Sequence, residues 1–181
     1  KDVYMDKTRV IYIDNGELVI YNISKNKKKV IDNNVDSYIC NDDCKKILFL
    51  KKNNDLYDVY YYEKKIKKMV DSINKLVDYN IDKKILVYFN DINELCYKDN
   101  KNKVVKISNN VNVNYDIKLY DDKYLYYVNN SSELYFVKVS KNKFKEKKLV
   151  EYVGGSILEY KNGFIVFSNL DNDYNGDLYL I

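Results

Sequence analysis

An internal repeat constrains this sequence more than any other feature. Five β-rich runs recur along the chain, and their first apolar residues lie 37, 38, 39 and 40 residues apart. Each run is followed by a polar turn and then by an acidic residue next to a leucine, and these leucines are spaced 38, 39, 39 and 44 residues apart. The first apolar residues are Val10, Ile47, Ile85, Tyr124 and Phe164, and the leucines are Leu18, Leu56, Leu95, Leu134 and Leu178. A period of this length is typical of repeat proteins, in which each unit buries apolar surface against its neighbours.

Each repeat contains four short segments that favour β-structure. In the second repeat, VDSYIC is followed by ILFL, by DLYDVYY and, after a Lys-rich turn, by KKMVD. No segment shows a sustained helical period. Four strands in roughly 40 residues are typical of a β-propeller blade. The sequence therefore predicts an all-β fold, a β-propeller of about five four-stranded blades in a single domain spanning residues 1–181, with the last blade incomplete after its third strand.

The order of segments within the repeat resembles that of a known family. An inner strand, an Asp-Lys turn, a strand of the ILFL type, a polar turn and a DLYxV strand together resemble the TolB-type propeller repeat and the degenerate propellers of AT-rich Gram-positive bacteria. The resemblance covers essentially the whole chain, but Asp and Lys stand where the family has a Ser-Pro-Asp-Gly turn. The Trp-Asp and Gly-His pairs of WD repeats are missing. The resemblance implies a binding scaffold and supplies no catalytic set.

Composition excludes several classes of chemistry. The chain has no His, Pro or Trp, so Ser-His-Asp triads, Cys-His pairs and His-ligated metals are ruled out. A net charge of +4 does not favour nucleic-acid binding, and no run approaches the roughly 20 apolar residues of a membrane span.

The three cysteines, Cys40, Cys44 and Cys96, form no recognisable framework, although a Cys40–Cys44 bridge is one alternative. Because the chain opens on Lys1, we expect a segment excised from a larger protein, in an extracytoplasmic setting.

The predicted inner strands each carry an acid beside a tyrosine. These acids are Asp2, Asp36, Asp78, Asp116 and Glu159. Inner strands line the channel of a propeller, so the acids form a candidate ligand-binding ring, or they supply the acid and nucleophile of a glycoside hydrolase. The alternative is that they merely face a solvated channel. Their irregular distances to the next strand, 8, 11, 7, 8 and 5 residues, argue against one designed ring.

The last turn of the chain is a candidate calcium site. Its D-x-D-x-N-G-D pattern places oxygen ligands at Asp171, Asp173, Asn175 and Asp177. Strand-flanked calcium hairpins of this kind would make the chain a calcium-stiffened adhesion domain. The alternative is an ordinary hairpin turn, for which Asn175-Gly176 is a strong signal. With no Glu to complete the shell, we expect calcium binding to be weak, and we expect no other cofactor.

Basic residues cluster in and next to the turns between the third and fourth strands of the repeats. The candidate polyanion-binding residues are Lys28, Lys29, Lys64, Lys65, Lys67, Lys68, Lys147 and Lys148. Acidic hairpins at Glu17, Asp55, Glu94 and Glu133 fall on the opposite face, which predicts a polarised molecule. The alternative is that these lysines protect outer strands from aggregation. We therefore expect a non-enzymatic binding or scaffold module whose partner is a polyanionic surface, such as anionic lipid headgroups or wall polymers, or an unidentified protein.

Overall fold

The computed structural model describes residues 3–140, 143–153, 157–160, 164–170 and 176–180, the last three ranges as backbone. Across these ranges the regular structure is entirely antiparallel β-strand, which confirms the all-β prediction. No helix long and apolar enough to cross a membrane occurs in this part of the chain.

The strands follow the predicted repeat, and we name the repeats units 1 to 5. Unit 1 contains β1 (Tyr4–Met5), β2 (Arg9–Asp14), β3 (Glu17–Asn22) and β4 (Lys27–Asp32). Unit 2 contains β5 (Ser37–Cys40), β6 (Ile47–Asn53), β7 (Leu56–Tyr62) and the first part of β8 (Ile66–Asn80). Unit 3 contains the second part of β8, β9 (Ile85–Asn90), β10 (Leu95–Lys98) and β11 (Val104–Ser108). Unit 4 contains β12 (Lys118–Tyr120), β13 (Tyr124–Val128), β14 (Leu134–Ser140) and β15 (Lys143–Val150), and unit 5 contains β16 (Ile157–Tyr160), β17 (Phe164–Leu170) and β18 (Gly176–Leu180).

Units 2 and 3 share one strand, which differs from the sequence prediction of separate strands. The first part of β8 pairs with β7 as the outer strand of unit 2, and the second part pairs with β9 as the inner strand of unit 3. The two units consequently form one seven-stranded sheet. Ser72, with φ of 51°, marks the change of partner. No loop-forming Gly or Pro separates the two strand segments, so the backbone turns at a single left-handed residue.

The core lies between successive units rather than within any one unit. Alternate residues of β6 point to opposite sides, so that Ile47 and Phe49 pack towards unit 1 while Leu48 and Leu50 pack towards unit 3. A third cluster lies between units 3 and 4 and includes Val87. Strands that are buried on both faces carry unbroken apolar runs, which explains the ILFL, ILVYF and YLYYV segments of the sequence.

Asparagine supplies much of the turn chemistry that glycine provides elsewhere. The chain has five glycines and no proline. Left-handed residues of the described turns include Asn15, Asn54, Asn93 and Asn102, with φ between 48° and 65°. The short amide side chain makes Asn one of the few non-glycine residues that adopt this conformation readily.

Candidate functional site

The Asp-Lys turns between first and second strands connect successive units. The guanidinium of Arg9 donates to the backbone oxygen of Asp43, over 2.7 Å. Lys46 Nζ lies 2.8 Å from an oxygen of Asp82, and Lys83 pairs with Asp122. The basic residue of one turn therefore contacts the turn of the next unit three times in succession. The two Lys–Asp pairs neutralise part of the basic charge expected on this side of the molecule.

The acidic hairpins pair with lysines of the outer strands. Glu17 Oε2 lies 3.2 Å from Lys28 Nζ in unit 1, and Glu133 Oε1 lies 3.0 Å from Lys148 Nζ in unit 4. Glu94 pairs in the same way with Lys106 in unit 3 and accepts a hydrogen bond from Asn90. The hydrogen bond from Lys106 lowers the pKa of Glu94.

These pairs join residues that the sequence assigns to opposite faces. Lys28 and Lys148, which the sequence assigned to a basic face, bind Glu17 and Glu133 of the supposed acidic face. Lys28 and Lys29 lie inside β4, and Lys147 and Lys148 lie inside β15, rather than in turns. The ammonium groups of Lys28 and Lys148 therefore lie beside carboxylates of the predicted acidic hairpins.

Two further members of the predicted polyanion set also have partners. Lys29 Nζ donates to the hydroxyl of Tyr62 in unit 2, over 2.9 Å. Lys68 Nζ lies 2.8 Å from an oxygen of Asp58 and 3.9 Å from Asp71. These two lysines join neighbouring strands and units, and their ammonium groups are less available to an external anion.

Four members of that set are exposed and form no ion pair with any described residue. These are Lys64, Lys65, Lys67 and Lys147. Lys64 and Lys65 lie in the hairpin between β7 and β8, and Lys67 is the second residue of β8. The structure thus divides the predicted set into partnered and unpartnered lysines.

A basic cleft accompanies the outer hairpin of unit 4. It has a volume of about 470 Å³ and is lined by Lys138, Ser140, Lys143, Phe144 and Lys145. The three lysines are exposed and form no ion pair with a described residue. Lys138 was not predicted from the sequence, because it belongs to the third strand rather than to a turn or an outer strand. It lies opposite Lys145 of the outer strand.

The described inner-strand acids differ in their surroundings. Asp78 accepts hydrogen bonds from the backbone N–H of Tyr79, at 2.8 Å, and of Leu119 in unit 4, at 2.7 Å. Asp36 is exposed just before β5, and Asp116 is exposed before β12, which is shorter than predicted. Asp2 and the side chain of Glu159 lie outside the described part. No group of three acids or cysteines suited to a metal occurs among the described residues.

The candidate calcium turn falls largely outside the described residues. Asp171, Asp173 and Asn175 are not among them, and Asp177 is described as backbone, paired with Asn169 across β17 and β18. Weak calcium binding at this turn therefore stays a prediction.

The Cys40–Cys44 bridge is not formed in this structure. Both are free, buried thiols in the cluster between units 1 and 2, and their Sγ atoms lie 2.8 Å apart. A disulfide requires about 2.05 Å. Burial raises the pKa of Cys40, and contact with the Cys44 thiol raises it further. The pair packs as two small apolar side chains.

Comparison with known proteins identifies the fold. No protein-family model and no curated protein sequence matches this chain. The structure is similar to the β-propeller domain of the Trilobed protease from Pyrococcus furiosus, which has an open velcro topology, with a TM-score of 0.59 and 15% identity over 100% of this chain and 67% of that chain. It is also similar to a chain of the S. cerevisiae structure of Dbp5 bound to Nup159, Gle1, IP6 and ADP, with a TM-score of 0.52 and 9% identity over 97% of this chain and 58% of that chain.

TolB from Acinetobacter baumannii also matches, with a TM-score of 0.44 and 16% identity over 96% of this chain and 49% of that chain. At these identities the comparisons establish fold alone. The chain has the fold of a β-propeller module, and it spans 58% of the yeast chain that it matches.

Proposed function

We propose that this chain is a non-enzymatic β-propeller binding module of about five blades, which docks on a polyanionic surface in an extracytoplasmic setting. The observation that carries the proposal is that some lysines are paired with acidic side chains and others are exposed without an ion pair. Most lysines near acidic side chains are paired with them, whereas a group around two outer hairpins is left exposed. That group consists of Lys64, Lys65, Lys67, Lys138, Lys143, Lys145 and Lys147.

The antiparallel arrangement supports one docking side. Within a unit the chain reverses at every strand, so all hairpins between third and fourth strands lie on the same side of the units. The hairpin of unit 2 carries Lys64 and Lys65, and Lys143 begins the outer strand of unit 4. Unpaired lysines of two units are therefore presented in the same direction.

Electrostatics favours an extended anionic partner over a single small anion. Each lysine close to an anionic surface contributes on the order of 1 kcal/mol, and the contribution falls as salt screens it. Several modest contributions of this kind give appreciable affinity for a surface. The same reasoning predicts that binding weakens strongly with ionic strength.

The arrangement of the acids favours binding over catalysis. A glycoside hydrolase needs two carboxylates about 5 to 9.5 Å apart that face the same substrate. Asp78 is instead occupied by two backbone hydrogen bonds, one of which holds the inner strand of unit 4. These two hydrogen bonds support a structural role for Asp78.

Cosedimentation with phosphatidylglycerol-containing vesicles tests the proposal. The test variant is Lys64→Gln, Lys65→Gln, Lys67→Gln. The matched control is Lys52→Gln, Lys75→Gln, Lys118→Gln, which removes the same charge from three exposed lysines that form no ion pair with a described residue and lie outside the two basic hairpins, near the end of β6, in the middle of β8 and at the start of β12. We expect the wild type to bind at low salt and the test variant to bind on the order of a hundredfold more weakly, since three contributions of about 1 kcal/mol are lost.

The control variant should retain most of the wild-type affinity. Equal losses in the two variants would show that net charge alone governs adsorption, and an absence of wild-type binding at low salt would refute docking on anionic lipid headgroups. In either case the lysines only protect the outer strands.

A further inference from the structure

A second cavity lies between units 2 and 3, near Lys67 of the basic hairpin of unit 2. Its volume is about 430 Å³, within the range of small-molecule sites. Its apolar wall includes Met69, Val70 and Tyr88, and its polar wall includes Ser72 and Lys98. The remaining lining residues are Asp71, Asn90, Asp91, Asn102 and Val104.

Lys98 is the unusual member of this cavity. Only 3% of it is exposed, although lysine is almost never fully buried without a paired charge. Its Nζ donates to Asn102 Oδ1 over 2.7 Å, and it forms no ion pair with any described residue. An ammonium has three N–H donors, so one hydrogen bond leaves the others without a protein acceptor among the described residues.

The surrounding structure fixes the position of this amine. Lys98 is the last residue of β10 and pairs with Leu86 of β9, so its side chain lies on the face that packs towards unit 2. Asp99 Oδ1 accepts the backbone N–H groups of Lys101 and Lys103, both at 2.8 Å, and thereby shapes the turn that presents Asn102. The amine is held by a rigid hairpin and not by a mobile loop.

A buried amine without a counter-ion favours its neutral form. Burial lowers the pKa of Lys98 and the nearby charge of Lys67 lowers it further, and together they outweigh the charge of Asp99, which raises it. A desolvated, neutral lysine is a nucleophile towards carbonyl compounds. The exposed acids Asp71 and Asp91 at the cavity oppose an anionic ligand, which favours an uncharged one.

The geometry points to a binding site for a small aldehyde or ketone, captured by Lys98 as an imine in the cavity between units 2 and 3. The Nζ lone pair attacks the carbonyl carbon, a C–N bond forms, and the carbonyl oxygen takes up a proton. The resulting carbinolamine loses water to give the C=N bond, so amine and carbonyl yield imine and water without an oxidant or a reductant. Tyr88 and Met69 provide the apolar wall for the rest of the ligand.

Reductive trapping tests this inference. The whole chain is treated at neutral pH with limiting propanal and sodium cyanoborohydride, and modified lysines are mapped by mass spectrometry after digestion that does not cut at lysine. We expect Lys98 to be modified several-fold faster than Lys103, an exposed lysine of the same hairpin, because a lowered pKa raises the fraction of the amine that is neutral and nucleophilic. If the rate at which each lysine is modified instead increased with its solvent exposure, so that Lys98 was among the slowest, the inference would be overturned.

The Asn102→Asp variant provides a second test that keeps the shape of the hairpin. A carboxylate at the position of Asn102 Oδ1 supplies the missing counter-ion, so trapping at Lys98 should fall at least about tenfold while trapping at Lys103 is unchanged. Unchanged trapping at Lys98 would contradict the proposed role.

Discussion

At the scale of single residues, Asp58 shows how a buried charge organises this fold. It is 7% exposed, it accepts the backbone N–H of Ser72 at 3.0 Å, and it pairs with Lys68 at 2.8 Å. Burial opposes its ionisation, but these hydrogen bonds outweigh burial and lower the pKa of Asp58. The carboxylate therefore holds the left-handed residue at which β8 changes partner.

We expect Asp58→Asn to destabilise the protein by about 2 kcal/mol at neutral pH, because a charged hydrogen bond is lost and its partners stay poorly satisfied. Urea unfolding followed by tyrosine fluorescence measures this. The matched control is Asp71→Asn, whose carboxylate is 73% exposed and lies 3.9 Å from the same Lys68. The control should change the free energy of unfolding by less than about 0.5 kcal/mol, and an equal effect of both variants would contradict the role of Asp58.

The difference between wild type and Asp58→Asn should also depend on pH. A carboxyl whose pKa is lower in the folded protein stabilises it above the unfolded pKa, and this stability is lost as the pH falls through the folded pKa. The usual pKa of Asp is 3.8, so the difference should be constant near neutrality and shrink as the pH falls below about 4. Urea titrations across this range check the prediction, and a pH-independent difference would exclude an ionised Asp58.

The sequence predicted the presence of the lysines but not their partners. Each of the pairs Glu17–Lys28 and Glu133–Lys148 depends on which outer-strand residue lies beside a given hairpin. That register changes at a bulge after the repeated leucine, at Leu18 in unit 1 and at Leu134 in unit 4. A shift of one residue turns a side chain to the other face, so periodicity alone could not separate paired from unpaired lysines.

At the scale of elements, β8 is where sequence and structure diverge most. Its two parts were predicted as separate strands of neighbouring blades, and their hydrophobic patterns were identified correctly. What joins them is the conformation of Ser72 and its hydrogen bond to Asp58, neither of which has a signature in propensity or periodicity. Lys98 was missed for a similar reason, since a lysine at the end of a strand predicts exposure rather than a buried amine.

The left-handed conformation of Ser72 makes a prediction for this strand. Glycine adopts a φ of 51° without steric cost, whereas a β-branched residue does not. We expect Ser72→Gly to stabilise the protein by about 0.5 to 1 kcal/mol and Ser72→Val to destabilise it by about 1 to 2 kcal/mol. Thermal unfolding gives the order of stability.

Ser37→Gly serves as the control, because Ser37 lies at the start of β5 without a positive φ, and glycine there should destabilise by about 0.5 to 1 kcal/mol. If Ser72→Gly destabilised the protein as much as Ser37→Gly, residue 72 would not be left-handed in solution.

At the scale of the whole molecule, the repeats behave as a stack whose core belongs to the interfaces. Polar contacts reinforce the same interfaces, since the hydroxyl of Tyr38 in unit 2 donates to the backbone oxygen of Ile11 in unit 1 over 2.6 Å. The hydroxyl of Tyr97 in unit 3 donates similarly to Asp122 in unit 4 over 2.6 Å. The period of the sequence predicted this organisation because strands covered on both faces must be apolar throughout.

Hydrogen–deuterium exchange of the whole chain tests the continuity of this stack most directly. We predict that peptides from β6, β9 and β13 are strongly protected and exchange with similar free energies of opening, because each strand is covered by units on both sides. A peptide spanning residues 66–80 should be protected along its length, including the amide of Ser72, whose acceptor is Asp58. Rapid exchange at residues 71–75 would contradict a strand shared by units 2 and 3. Opening of the units one by one, at clearly different free energies, would contradict a continuous stack.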